Sequence, residues 1–448
     1  MLPIILLFAW FMSPPETVIR NVTVIPMDTE RRIEAQFVHL REGVIVGMGN
    51  DAKAPNPAGA TVIDGTGKFL IPGIAEMHAH VPPTTQNPDY MAEVLFLYKA
   101  NGITTVRGML GHPLHLELRE KAARGEIVSP RIFTSGPSIN GQSAPTPDIV
   151  DRMVRAQKAA GYDLLKLHPG LSRATFDQMV LTANEVGIPY AGHVSDAVGL
   201  PRALEAKQIS VDHLDGYIPL LIPDSVQISS LPILFFGWNL VPHVDESLIP
   251  ESVRRTKEAG VWNVPTQSLI EHLLGPDPID VLASRPEMAY VPKAMLQSWR
   301  NAKQGYLDNP NFSVDTGKEF VRIRRAIIRE MNKQGAGLLL GSDAPQIFNV
   351  PGFAIHHEMR MMVDSGLTPY EVLRAGTVNV AQYFNETDTA GSIAVGKRAD
   401  VVLLDADPLL DISHMTRLQA VWTAGYPLYK AEIDTRLQQI RVKYQNPE

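Results

Sequence analysis

Residues 74–80 read Ile74-Ala75-Glu76-Met77-His78-Ala79-His80, a mostly apolar run that ends in two histidines. Such a run predicts a short buried strand, and residues two apart on a strand face the same side of the sheet. His78 and His80 can therefore bind one metal ion together. A lone His-x-His pair is a weak signal, so the prediction depends on the segments that follow along the chain.

Seven more short apolar segments follow, and helical patterns such as residues 172–186 and 316–334 lie between them. The segments cover residues 103–107, 131–135, 164–167, 189–193, 210–213, 261–264 and 338–342. A strand–helix alternation that is repeated eight times predicts an α/β fold built on a parallel (β/α)8 barrel, the TIM barrel. The longest interruption, residues 217–260, contains an apolar stretch at residues 231–238. That stretch fits a lid or wall for a hydrophobic group, or else an oligomer contact or simple packing.

The two ends of the chain have a different pattern. Residues 17–70 and 390–430 contain short segments rich in β-branched residues, separated by turns that carry glycine. Neither block is long enough for a full sheet domain, so we expect both to form one small β-sandwich. For the rest of the chain, we expect a barrel over residues 71–389 and a C-terminal helix or tail over residues 431–448.

Composition narrows the class of protein. The chain has 448 residues, 45% hydrophobic and 20% charged, which is enough for a large barrel, an accessory unit and a sizeable core. The net charge is -7 and no Lys/Arg block stands out, so we expect no nucleic-acid partner. Cysteine is absent, which excludes disulfides, cysteine metal ligands and a thiol nucleophile.

The N-terminus carries a nearly unbroken apolar run over residues 2–12, which is too short to span a bilayer. It predicts a signal peptide over residues 1–16 and a periplasmic or secreted protein. Because no Lys or Arg precedes the run, the alternative is a hydrophobic arm docked on a cytoplasmic protein. No other segment predicts a membrane span.

Polar residues stand at the ends of several predicted strands. Lys166 ends the fourth, His193 the fifth and His213 the sixth, and Asp343 follows the eighth. The carboxyl ends of barrel strands meet at one rim, where catalytic groups gather. The sequence therefore predicts that these four residues join His78 and His80 in one cluster.

Lys166 lies within the apolar segment Leu164-Leu165-Lys166-Leu167. Burying a bare ammonium group there is costly, and nearby metal cations would increase the cost. Addition of CO2 to the amine would instead give an anionic carbamate, whose two oxygens can bridge two metals. The alternatives are a lysine that pairs with a carboxylate, or one that extends to the solvent at the rim.

This ligand set resembles the amidohydrolase superfamily of the binuclear-metal type, and the resemblance covers residues 17–429. Three local motifs resemble its prolidase-like, imidazolonepropionase-related branch, namely residues 161–167, 191–194 and 211–217. One departure is Glu76, where the superfamily usually has Asp two residues before the first histidine. Glu76 shares the inward face with His78 and can still act as a supporting group behind the ligands.

The resemblance implies a mechanism with two divalent metal ions. His78, His80 and Asp343 would hold one ion, and His193 and His213 the other. Carbamylated Lys166 and a water would bridge them, and the water would attack the scissile carbonyl as hydroxide. Asp343 would be the catalytic residue that carries the proton to the leaving nitrogen. The ligand set suits Zn2+, with Mn2+ or Co2+ as alternatives.

Four further residues are candidates for substrate binding. Arg107 follows the second strand and could clamp a carboxylate, or else form a structural ion pair. His168 shares strand parity with Lys166, Tyr217 lies just past His213, and His356 opens a predicted helix after the eighth strand. Each of these three could bind a substrate oxygen, or else pack behind the site.

The predicted function is hydrolysis of an amide or peptide bond in a small-molecule or dipeptide substrate, such as Xaa-Pro or an N-acyl amino acid. A mononuclear deaminase, or a hydrolase of a cyclic amidine or imidazolone, is the first alternative. Lys166 counts against it, and we find no His-x-x-Glu motif near His213. A lactonase or phosphoesterase and a non-catalytic binding protein are the others. The oligomeric state stays open, with a homo-oligomer as one option.

Overall fold

The computed structural model describes residues 13–83, 89–226 and 233–445. Most of the predicted signal peptide, residues 1–12, lies outside the described residues, as do residues 231 and 232 of the apolar stretch. Among the helices of the described ranges, none has both the length and the apolar character needed to cross a membrane.

The N-terminal segment forms short strands before the barrel begins. These are β1 (Thr17–Val24), β2 (Ile33–Arg41), β3 (Val44–Asn50), β4 (Thr61–Asp64) and β5 (Phe69–Pro72). The barrel strands follow as β6 (Ile74–Ala79), β7 (Ile103–Gly108), β8 (Arg131–Thr134), β9 (Leu165–Leu167), β10 (Tyr190–Gly192), β11 (Ser210–Asp212) and β12 (Trp262–Val264). Each barrel strand falls within or overlaps one of the first seven segments predicted from the sequence.

Helices connect the barrel strands and complete the second half of the chain. The first part contains α1 (Tyr90–Ala100), α2 (Pro113–Ala123), α3 (Pro147–Ala160), α4 (Arg173–Val186), α5 (Gly199–Glu205), α6 (Tyr217–Leu220) and α7 (Ile249–Ala259). The second part contains α8 (Gln267–Leu274), α9 (Ile279–Ala283), α10 (Lys293–Leu307), α11 (Val314–Gln334), α12 (Phe353–Asp364), α13 (Pro369–Ala375), α14 (Val378–Tyr383) and, at the C-terminus, α15 (Lys430–Gln445).

The barrel strands form two parallel sheets, which gives a TIM-barrel-like α/β fold. One sheet has the order β6-β7-β8 and the other the order β12-β11-β10-β9. Single parallel bridges from Ser135 to Leu164 and from Ile139 to Leu167 connect β8 to β9. On the opposite side, Leu338 bridges Asn263 and Ala344 bridges Ala79, so residues 338–344 lie between β12 and β6.

The eighth predicted strand, residues 338–342, is not a regular strand in the structure. The Ser342 amide donates to the Glu76 carboxylate, 2.8 Å away, in place of a backbone carbonyl. Asp343 then adopts a left-handed backbone conformation with φ of 64°. A side chain therefore replaces part of the backbone ladder where the chain turns to present Asp343.

The two chain ends meet in one eight-stranded sheet. The C-terminal strands are β13 (Val401–Leu404), β14 (Leu418–Thr423) and β15 (Tyr426–Tyr429). The order is β15-β14-β13-β5-β1-β2-β3, and β4 pairs with β1. Because β5 pairs with both β1 and β13, the structure has one continuous sheet where the sequence predicts a sandwich.

Trp422 is the largest side chain in the core of this sheet and is fully buried. We expect Trp422→Ala to lower the free energy of unfolding by about 3–5 kcal/mol, because it leaves a cavity that the strands cannot fill. Urea unfolding followed by far-ultraviolet circular dichroism measures the change. Leu410→Ala is the control, since Leu410 is 75% exposed and its truncation should change little. Equal effects of the two substitutions would contradict the assignment of this core.

Candidate metal centre

The six residues predicted as metal ligands all stand at the carboxyl ends of parallel strands. His78 lies near the end of β6, His80 directly follows this strand, and Lys166 is the central residue of β9. His193 follows β10, His213 follows β11, and Asp343 follows residues 338–342. This end of a TIM-barrel-like fold is where catalytic groups collect.

The distances show that these six side chains form one cluster. His80 Nε2 lies 2.6 Å and His78 Nε2 3.7 Å from Asp343 Oδ1. Lys166 Nζ lies 3.4 Å from His78 Nε2. The ring centres of His78 and His213 are 4.5 Å apart, and those of His193 and His213 are 4.4 Å apart. Ligand atoms of His78, His213 and Asp343 all lie within 4.8 Å of one another, close enough to share an ion.

His213 is held in the form that binds a metal. Thr266 Oγ1 donates to the Pro265 carbonyl, so its lone pair accepts the proton of His213 Nδ1, 2.8 Å away. The other nitrogen, Nε2, is buried and has no partner in the described part of the chain. Burial, followed by the neighbouring histidines, lowers the pKa of His213 and keeps the ring neutral. A neutral imidazole with an open Nε2 lone pair fits a metal ion.

Carboxylates stand behind two other histidines. Asp215 Oδ2 lies 2.7 Å from His193 Nδ1, and Asp212 Oδ2 lies 2.8 Å from His78 Nδ1. The Asp215 hydrogen bond orients the His193 ring and makes its Nε2 a better ligand, whereas His78 Nδ1 lies close to Asp212 without a hydrogen bond to a described residue. The sequence analysis did not single out either residue. The signal was present, since both acids flank His213 in the motif Val211-Asp212-His213-Leu214-Asp215.

Arg107 does not reach a substrate, which corrects the predicted carboxylate clamp. Its guanidinium is fully buried and binds both oxygens of Asp212, at 3.0 and 3.1 Å. It also donates to Met77 O, Ser210 Oγ and the Tyr383 hydroxyl. Burial raises the pKa of Asp212, but the charges of Arg107 and Lys166 outweigh it and lower the pKa overall. Arg107 therefore forms the structural ion pair that was the alternative.

Glu76 connects β6, the first barrel strand, to residues 338–342 through hydrogen bonds. Its carboxylate accepts from the amides of His78 and Ser342, at 3.0 and 2.8 Å, and from the Ser342 hydroxyl. Burial raises the pKa of Glu76 to about 8, against the lowering effect of these hydrogen bonds. The longer side chain reaches across to residue 342, so Glu76 supports the backbone of His78 and Asp343.

Lys166 is fully buried, so it does not extend to solvent. Its only hydrogen-bonding contact among the described residues is His78 Nε2, which rules out the carboxylate-paired alternative for this part of the chain. The chain makes room for it at Gly192, where a Cβ atom would lie 2.9 Å from Lys166 Cδ. Burial lowers the pKa of Lys166 to about 8, although three aspartates oppose the shift.

Tyr217 and His356 lie away from the cluster, which corrects their prediction as substrate contacts. The Tyr217 hydroxyl is buried between Thr256 of α7 and Asn263 of β12, at 2.7 and 3.0 Å. His356 Nε2 contacts Asn101 Oδ1 at 3.2 Å, which places the ring between α12 and the end of α1. Spacing along the chain placed both residues near the rim but did not indicate the direction of their side chains.

His168 is the one predicted substrate contact that lies beside the cluster, with its ring centre 5.1 Å from that of His193. Asn140 Oδ1 accepts two backbone amides, so its Nδ2 must be the group that donates to Ser138 Oγ. The Ser138 hydroxyl is then free to donate to His168 Nδ1, 2.7 Å away. Burial lowers the pKa of His168 to about 2, so its Nε2–H is a neutral donor.

Gln346 is a further polar neighbour that the sequence analysis missed. Its Nε2 donates to Asp343 Oδ1 over 2.9 Å. Oδ2 of Asp343 makes no hydrogen bond with a described residue, and its nearest basic neighbour is His213 Nδ1 at 3.7 Å. The position of Gln346 depends on the irregular turn after residue 342, which no periodic pattern indicates.

Comparisons with known proteins identify the family and the fold. A sequence model described as "Amidohydrolase family" matches residues 69–427. The chain is 23% identical to the imidazolonepropionase of Bacillus cytotoxicus over 435 residues, which cover 90% of this chain and 91% of that protein. Among solved structures, bottromycin amidohydrolase has a TM-score of 0.74 at 23% identity, with 97% of this chain and 91% of that chain covered. A Xaa-Pro dipeptidase with bound methionine in the active site has a TM-score of 0.67 at 18% identity, with coverage of 92% and 100%. At these identities the structural likeness shows the fold alone.

Asp215 gives a test of the cluster that leaves every ligand in place. We expect Asp215→Asn to weaken Zn2+ binding about 10–100-fold, because the amide no longer orients His193 or raises its basicity. Competition with a chromogenic chelator measures the affinity. Asp177→Asn is the control, because Asp177 pairs with Arg173 and Arg202 on the surface. Unchanged affinity in Asp215→Asn would show that His193 is not a ligand.

Proposed function

The chain belongs to the amidohydrolase family, and from this premise we propose that this hydrolase of carbon–nitrogen bonds cleaves an amide or peptide bond with the help of two divalent metal ions. The family match over residues 69–427 confirms the resemblance drawn from the motifs. The observation that carries the proposal is the convergence of four imidazoles, Lys166 and Asp343 at one rim of the barrel strands.

In the proposed centre, His78, His80 and Asp343 would hold one ion, and His193 and His213 would hold the other. The open Nε2 of His213 and the carboxylates behind His78 and His193 support these assignments. A pair of divalent ions, with Zn2+ the best match to His and carboxylate ligands, lowers the pKa of water and polarises a carbonyl.

Lys166 is proposed to carry a carbamate that bridges the two ions. The lone pair of the uncharged Nζ bonds to the carbon of CO2, one N–H proton is released, and the product is an anion with two oxygens. A lysine whose pKa is lowered to about 8 by burial supplies this uncharged amine more readily than an exposed lysine does. The absence of a carboxylate partner among the described residues supports the same assignment.

The chain's own residues then move the proton and bind the substrate. Gln346 donates to Oδ1 of Asp343, which leaves Oδ2 to take a proton from the attacking water and pass it to the leaving nitrogen. The neutral Nε2–H of His168 is positioned to donate to a substrate oxygen. We assign the substrate to dipeptides such as Xaa-Pro, or to N-acyl amino acids.

A second candidate is an imidazolonepropionase-like hydrolase that opens a ring with a single metal ion. The likeness to the imidazolonepropionase of Bacillus cytotoxicus, which extends over 90% of the chain, favours it. The buried Lys166 argues against this candidate, because a site with one metal ion needs no bridging group. The stoichiometry of bound metal separates the two candidates.

For the architecture, we infer a closed (β/α)8 barrel and a β-sandwich formed by the chain ends. The bridges of residues 338–344 to Asn263 and Ala79 support the closure. For the sandwich, the Gly43 carbonyl accepts from the Ala399 amide, and the Ala399 carbonyl accepts from the Gly425 amide. These bonds bring distant strands of the curved sheet together around the core that contains Trp422.

The bridging role of Lys166 has a direct test. We expect Lys166→Ala to lower kcat on amide substrates by more than about 100-fold, because the ions lose their shared ligand. Added formate or acetate should restore part of the activity by filling the vacated space with a carboxylate. Lys303→Ala is the control, because within the described ranges the Lys303 ammonium donates only to backbone carbonyls, at 2.8 and 3.0 Å. Full activity and full metal content in Lys166→Ala would refute the bridge.

The reaction itself is tested with purified, metal-depleted protein. We expect no hydrolysis of Xaa-Pro or N-acyl amino acid panels until Zn2+, Mn2+ or Co2+ is added, and full activity at two ions per chain. Plasma mass spectrometry measures the metal and ninhydrin measures the released amines. One tightly bound ion with activity on an imidazolone ring would favour the second candidate instead.

A further inference from the structure

A pocket of about 250 Å³ opens directly beside the proposed metal ligand His193. Most of its wall is apolar, and the apolar residues come from four separate parts of the chain. They are Pro169, Val194, Pro219, Ile233, Leu234, Phe235 and Phe236. The remaining wall includes two carboxylates, Asp196 and Asp215. The mechanism above uses only His193 and Asp215 from this pocket.

Phe236 is the side chain that joins the pocket to the metal centre. Its ring is parallel to that of His193, with an interplanar angle of 2° and a centre distance of 6.1 Å. It also lies 5.2 Å from the ring centre of His213. A substrate group that enters the pocket must therefore contact Phe236 beside the two histidines.

The backbone at Phe236 is strained. Phe236 has φ of 56° and ψ of 15°, a left-handed conformation that is uncommon for a bulky residue. Gly237 follows with φ of 80°, and a Cβ atom there would lie 3.2 Å from Ile218. Trp238 and Leu240 are buried and anchor the segment. Strain of this kind persists only where the surroundings enforce it, and it concentrates at ligand sites.

Asp196 gives the pocket a specific charge. Its carboxylate is exposed at the pocket wall and forms no hydrogen bond or ion pair with a described residue. Loss of solvent, followed by the negative charge of Asp215, raises the pKa of Asp196, which shows that the two acids are close. Asp215 is already committed to His193. The pocket is therefore complementary to an apolar group that carries a positive charge.

We propose that this pocket receives the amino-terminal residue of the substrate, with its apolar side chain against Phe236 and its protonated α-amine at Asp196. The proposal rests on the proposed function, because it takes the scissile carbonyl to lie at the metal centre. In a dipeptide the α-carbon is one bond from that carbonyl, so its amine and side chain must both lie next to the metal-binding histidines.

The same chemistry separates the two substrate classes left open above. An N-acyl amino acid has no amine on the acyl side, so Asp196 would stay unpaired. The carboxyl-terminal residue of a dipeptide would bring a carboxylate towards two acids, which is unfavourable. A free α-amine has a pKa of about 8 and is mostly protonated at neutral pH, so dipeptides with a free amino terminus satisfy the pocket.

Asp196→Asn tests the charge. We expect wild-type protein to hydrolyse Leu-Pro at least about tenfold better, in kcat/KM, than N-acetyl-Leu-Pro, and Asp196→Asn to reduce only the Leu-Pro value by about tenfold. Asp388→Asn, an exposed acid in the turn after α14, is the matched control and should change neither value. Titration calorimetry should show that Asp196→Asn binds L-leucine more weakly than the wild-type protein does, and that Asp388→Asn binds it equally well.

Phe236→Ala tests the apolar contact. Against Gly-Pro, Ala-Pro, Leu-Pro and Phe-Pro, we expect it to reduce kcat/KM for the two large side chains about tenfold and to leave Gly-Pro nearly unchanged. Phe236→Leu should retain most of the preference, because it keeps the wall apolar. Circular dichroism of each variant checks that the fold is intact.

The outcomes distinguish this inference from the proposed function. Hydrolysis of N-acylated substrates as fast as free dipeptides, or equal losses for both in Asp196→Asn, would overturn the pocket assignment and leave the amide hydrolase in place. Equal kcat/KM values for the four Xaa-Pro dipeptides, in both wild-type protein and Phe236→Ala, would also overturn it. No hydrolysis of any amide by metal-loaded protein would remove the proposed function and this inference with it.

Discussion

Lys166 is buried without a carboxylate in hydrogen-bonding contact in the described chain, where its polar contact is the imidazole of His78, and this constraint governs the rest of the site. A lone ammonium in such a place is unfavourable, and burial, the largest influence, lowers its pKa to about 8 although three aspartates oppose the shift. The proposed conversion to a carbamate would change the sign of the charge and give an anionic metal ligand. The four histidines, kept neutral or oriented by their neighbours, are then matched to cations.

The support behind the ligands explains why this cluster is stable in a folded chain. Arg107 compensates Asp212, which in turn contacts His78, so a fully buried ion pair stands beneath the centre. Arg324 donates to the His213 carbonyl at 2.6 Å and braces the following segment. Glu358 of α12 accepts the Gln267 and Ser268 amides at the start of α8, next to Thr266. Buried charges of this kind are costly alone and are tolerated because each is paired or hydrogen-bonded.

Sequence patterns predicted the strands and the residues that cluster at their ends, because both depend on local periodicity. A ligand that directly follows a parallel strand reaches the common rim whatever the distant contacts are, which is why His193 and His213 were predicted. The prediction of substrate contacts was wrong for Arg107, Tyr217 and His356. The directions of these side chains depend on partners far along the chain. The prediction of a regular eighth strand was wrong because the Ser342 amide donates to the Glu76 carboxylate and not to a neighbouring strand. Phe236 and Gln346 owe their places to left-handed or irregular turns that no period indicates.

Anomalous X-ray diffraction from crystals grown with Zn2+ and bicarbonate tests the central claim most directly. The account predicts two anomalous peaks per chain, one near His78, His80 and Asp343 and one near His193 and His213, with extra density on Lys166 Nζ between them. A single peak, or two peaks beside an unmodified Lys166, would contradict it.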